Sequence, residues 1–77
     1  MVNYTQAALG VIEFLKSKDA DDFYDIEEKL SDLNSMEKDM FMTKAVKDGV
    51  IEEQRQSKFG AKLGVNSEEF LKEHTQN

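Results

Sequence analysis

Phe59-Gly60-Ala61-Lys62-Leu63-Gly64-Val65-Asn66-Ser67-Glu68-Glu69-Phe70 carries the densest local punctuation in the chain. Gly64 stands where a helix ending at Leu63 needs a left-handed residue, which glycine supplies without a Cβ clash. Asn66 fits the N-cap of a following helix, its side chain accepting an unpaired amide hydrogen. Glu69, three residues on, completes a capping box, and Val65 with Phe70 fits a hydrophobic staple. The stretch therefore predicts a helix, a tight corner and a second helix.

Upstream, the same reasoning predicts more helices. Thr5 is placed to cap a first helix, and Tyr4 to staple onto Leu9. Ala8, Val11, Ile12 and Leu15 fall at helical spacing and make one apolar face. Gly10 interrupts that helix at a cost of about 1 kcal/mol relative to alanine. Residues 19–22, three of them aspartates, suit the first turn of a second helix, where acids face the positive end of the macrodipole. Phe23, Ile26, Leu30 and Leu33 continue it as a stripe, with Asp22, Asp25, Glu28 and Asp32 on the outer face.

Asn34 or Ser35 caps a third helix, with Glu37 placed as the capping-box partner of Asn34. Met36, Met40, Phe41, Ala45 and Val46 form its apolar side. Gly49 suits a left-handed stop after Asp48, with Val50 folding back; the alternative is a helix running through Gly49. Ile51, Phe59 and Leu63 fit a further helix, although residues 52–57 are polar all round. The chain contains no proline and no alternating run long enough for a strand. The expectation is an all-α single domain over residues 1–77, a bundle of four to five short helices.

The C-terminal corner resembles the helix-turn-helix pattern of DNA-binding regulators over residues 56–73. Gly60 supplies the small residue four before the turn glycine, and Phe59, Leu63, Val65 and Phe70 supply the flanking apolar ones. The resemblance implies a transcriptional regulator with Lys58, Lys62, Asn66, Ser67 and Lys72 at the DNA. Glu73 stands where the pattern wants an apolar residue. Glu68, Glu69 and Glu73 also outnumber Lys72 on the second helix, and carboxylates repel the phosphates that supply most DNA affinity.

Charge points the same way. The chain of 77 residues has 16 acidic and 10 basic side chains, net −6. Residues 1–41 hold ten of the acids and four of the bases, whereas residues 42–65 are mildly basic through Lys44, Lys47, Arg55, Lys58 and Lys62. A free-standing nucleic-acid binder shows a basic footprint; this distribution suits contact with a basic partner.

Chemistry is sparse. No cysteine is present, so a disulfide or cysteine-ligated zinc site is excluded, and His74 is the only histidine. A calcium loop starting at Asp19 would need an oxygen ligand at Phe23, glycine at Tyr24 and glutamate at Leu30. No phosphate loop or nucleophile motif is present, and no cofactor is expected. No residue run is long and apolar enough for a membrane span, no leader peptide is visible, and a cytoplasmic protein is expected.

The functional expectation is a small acidic non-enzymatic regulator acting by protein–protein interaction: an inhibitor, an anti-repressor or an immunity-like protein. Its partner would be another protein, basic or DNA-binding, or a second copy in a homodimer. Met36 and Met40 share one helix face and are expected in the core, with Met42 exposed; the alternative is a partner-binding patch of Met36, Met40, Phe41 and Met42. Asp22, Asp25, Glu28 and Asp32 would rim that patch.

Overall fold

The structure, a computed structural model, describes residues 3–19 and 21–75. Three helices surround a three-stranded antiparallel sheet: α1 (Tyr4–Ser17), β1 (Tyr24–Asp25), α2 (Ser35–Asp48), β2 (Ile51–Glu53), β3 (Gly60–Leu63) and α3 (Ser67–Thr75). A 3-10 turn, Glu27–Leu30, lies between β1 and α2. The molecule is therefore α plus β, and the all-α expectation is corrected.

The first helix forms where its periodicity places it, with Ala8, Val11, Ile12 and Leu15 buried. Its cap lies two residues earlier than expected. Asn3, not Thr5, accepts the free amides, from Thr5 N at 2.8 Å and Gln6 N at 3.3 Å. Beyond Ser17 the expected second helix does not start. Asp19 adopts a left-handed conformation (φ 52°), which a short polar side chain tolerates and a helix does not continue through. Ala20 lies outside the described residues. Asp25 then accepts from Glu27 N at 2.9 Å, a side-chain turn that competes with helix. Ile26, Leu30 and Leu33 are buried as the stripe requires, but a 3-10 turn delivers them.

The largest departure is the stretch before the corner. Residues 60–63 are β3, the central strand in the order β1-β3-β2. Ala61 pairs with Tyr24 on one side and Glu53 on the other; Leu63 pairs with Ile51 and Lys62 with Glu52. Small size is what admits Gly60 and Ala61 here. Ala61 is fully buried, and a Cβ on Gly60 would meet Gln54 Oε1 at 2.5 Å and Ser57 Cβ at 3.0 Å across the turn joining β2 to β3.

The helix-turn-helix reading fails with that strand, because no helix precedes the turn. Gly64 is needed for a different reason than supposed. It does not hold a left-handed conformation; among the glycines only Gly49 does. Gly64 N donates to Val50 O at 2.9 Å, and a Cβ there would overlap the Gly49 carbonyl. Val65 is 93% exposed, so no staple forms. Asn66 O accepts from Phe70 N at 2.9 Å, yet the Asn66 side chain turns away from α3 and donates to Asp48 O at 3.0 Å. The corner thereby ties the start of α3 to the end of α2.

Against this sheet α1 packs on β3, α3 and the 3-10 turn, and α2 packs on β2. Ile12, Leu15, Ile26, Leu30, Ile51 and Val50 fill the centre.

Candidate functional site

The second helix obeys its sequence signals closely. Glu37 N donates to Asn34 Oδ1 at 2.9 Å while Asn34 N donates to Glu37 Oε1 at 3.0 Å, the reciprocal capping box. Gly49 (φ 77°) ends the helix, and Val50 folds back, fully buried, with its amide on Ala45 O at 3.0 Å. The face it buries is not the one expected. Phe41, Met42 and Ala45 point inward, whereas Met36 is 71% and Met40 65% exposed. Two apolar stripes compete on this helix. The stripe with Phe41 wins because the aromatic buries most area and Gly49 fixes the phase at which Val50 returns to the core.

The consequence is an apolar helix face left in solvent. Met40 overhangs a cleft of about 260 Å³ between α1 and α2, floored by Tyr4, Ala7, Leu33 and Phe41. Glu37 and Lys44 stand at its rim. Of the four residues expected as a patch, Met36 and Met40 are exposed and Phe41 lines the cleft beside Met40, whereas Met42 is buried in the core, against the expectation that it is exposed. Methionine side chains repack at small cost, which suits a surface that accepts a partner's shape.

Tyr4 anchors the cleft. Its ring lies 5.6 Å from Phe41 and 6.2 Å, edge-on, from Phe70. Its hydroxyl donates to Asp48 Oδ2 at 3.0 Å, and Lys44 Nζ sits 4.9 Å from its ring centroid. Burial, then the hydrogen bond and charge of Asp48, push the phenol well above its ordinary range. It stays protonated as a donor at any physiological pH. The sequence offered a signal for this tyrosine only as a staple, since contacts 37 to 66 residues away leave no local trace.

The expected acidic rim is not around this face. Asp22, Asp25, Glu28 and Asp32 are all exposed, on the turn-rich segment before α2. Asp25 and Glu28 share a shallow depression with Glu27, Ser31 and Lys38, and Lys38 pairs with Glu27 at 3.4 Å.

The residues assigned to DNA are scattered or engaged. Lys58 pairs with Asp39 at 2.8 Å and Lys62 with Glu52 at 3.5 Å, while Lys62 also lies over the Phe23 ring at 5.5 Å. Ser67 is buried at 4% exposure, Asn66 holds Asp48 O, and Lys72 is exposed on α3 beside Glu68 and Glu69.

Among the described residues no three His, Asp or Glu side chains come together as a metal-binding group. No helix among them is long and apolar enough to cross a membrane. No family model, no curated protein and no solved structure matches the chain.

Proposed function

We propose that the protein is a small non-enzymatic regulator that acts by binding another protein through the exposed face of α2. It would be of inhibitor, anti-repressor or immunity-like type. The observation that carries this reading is the exposure of Met36 and Met40 on α2, Met40 lining the cleft of Tyr4, Leu33 and Phe41. In a chain this short, two large apolar side chains left in water contribute no burial to the fold, and exposed apolar patches mark interaction surfaces. The net charge of −6 favours a basic partner by steering its approach.

The test is site-specific photo-crosslinking in the host cytoplasm, with the crosslinker at position 40 and, as control, at Glu13 on the exposed side of α1. A discrete product from position 40 that is absent from position 13 is the expected result. Equal, diffuse labelling from both positions would remove the reading.

A further inference from the structure

We infer that the α2 face is self-complementary and that, in the free protein, a second copy of this chain covers it in an antiparallel two-fold pairing centred on Met40. This rests on reading that face as a docking surface, and it adds a regulation: the functional partner must displace the second copy.

The argument is the placement of charge around the methionines. Glu37 lies three residues before Met40 and Lys44 four after it, about 4.5 Å and about 6 Å along the axis. Seven residues separate the two, nearly two full turns, so they share one flank of the helix within about 20°. Met36 lies on the opposite flank. A two-fold axis through Met40 perpendicular to the helix reverses direction but keeps the flank. It brings Glu37 of each copy level with Lys44 of the other, twice, with Met40 against Met40 between them. A parallel pairing would instead bring each charge level with its like.

Both groups are available for this. Glu37 spends one carboxylate oxygen on the capping box and keeps the other. Lys44 makes no ion pair among the described residues; its Nζ rests over Tyr4, at the cleft rim that Met40 overhangs. Antiparallel macrodipoles are also favourable side by side. One 14-residue helix makes a narrow contact, so pairing belongs to the small, transient class of interface, below about 1,200 Å².

The experiment is sedimentation equilibrium of the full purified chain from low micromolar to near-millimolar concentration. A monomer–dimer equilibrium is expected. Met40→Glu sets two carboxylates against each other at the centre and is expected to weaken it about a hundredfold. Glu37→Lys and Lys44→Glu each make like-charged homodimers and are expected to be monomeric. Mixed in equal amounts they restore both opposite-charge contacts and are expected to recover the dimer. Circular dichroism of each variant separates loss of pairing from loss of fold, and recovery on mixing is a result no unfolded variant gives. A wild-type chain that stays monomeric throughout overturns the inference. So does a dimer indifferent to Met40→Glu, or a folded pair that fails to associate on mixing. A monomeric wild type that still gives the position-40 crosslink to a different protein overturns the self-pairing alone and leaves the docking surface standing.

Discussion

Individual positions in this fold are constrained by what lies against them rather than by their own preference. Tyr4 is one example. Below its ordinary value of about 10 the phenol is protonated folded and unfolded, so it adds no pH dependence there. Above that value the unfolded chain releases the proton while the folded chain holds it, so stability falls as pH rises. Thermal unfolding followed from pH 8 to pH 11 is expected to show a Tm that declines more steeply for wild type than for Tyr4→Phe; parallel curves would disprove the role of Tyr4. The glycines make the same point. Gly64→Ala drives a Cβ into the Gly49 carbonyl, with Gly49 C at 2.7 Å and Ile51 N at 2.8 Å. Backbone cannot step aside as a side chain tip can, so a loss of about 3 kcal/mol or more is expected. Gly10→Ala meets nothing within 4 Å in the middle of α1 and is expected to gain up to about 1 kcal/mol. Urea titrations of the two variants should move in opposite directions.

At the scale of elements, α2 shows how a few local signals suffice to start and stop a helix. In α2 the box residues Asn34 and Glu37, and the stop at Gly49, each satisfy backbone groups the helix leaves unpaired. Asn34→Ala removes the acceptor for Glu37 N and is expected to cost about 1 kcal/mol, read as a lower urea midpoint at unchanged slope. A midpoint within error of wild type would show that the box contributes nothing. Such signals are legible because they act within four residues. The strands were not, because β1, β2 and β3 span two, three and four residues, too few to display an alternation. Gly60 and Ala61 are poor strand formers chosen for a crowded site, and Ile26, Leu30 and Leu33 mimic a helical stripe while being set by a 3-10 turn. The corner misled for a related reason: Gly64-Val65 followed by Asn66-Ser67-Glu68-Glu69 marks the start of a helix well and says little about what precedes it. The site was half legible. Periodicity grouped Met36 with Met40, but which of two stripes faces the core depends on Val50 and Tyr4, whose contacts are long-range in sequence.

The whole molecule has little stability in reserve, and that makes it testable at its centre. Its radius of gyration, 11.3 Å, is close to the value of about 11.5 Å for a compact chain of this length. The described fold is therefore as compact as an ordinary domain of its length. Without disulfides such a core supplies net stability of only about 3–5 kcal/mol. Leu15 is completely buried where α1 meets the rest of the core, and truncating a buried leucine to alanine costs about 2–5 kcal/mol. These two ranges overlap, so Leu15→Ala is expected to lie near its unfolding midpoint at 25 °C in plain buffer, with a helical signal intermediate between the native and denatured baselines. Val65→Ala removes two exposed methyl groups and is expected to stay within about 0.5 kcal/mol of wild type. Covering the α2 face should raise the midpoint by an amount that grows with the logarithm of concentration above the dissociation constant, because whatever binds only the native state stabilises it by mass action. If pairing occurs, Leu15→Ala is thus expected to regain helical signal as its concentration is raised, and the same change combined with Met40→Glu is not. A Leu15→Ala chain that is fully native at every concentration would mean that the core holds far more than its size allows.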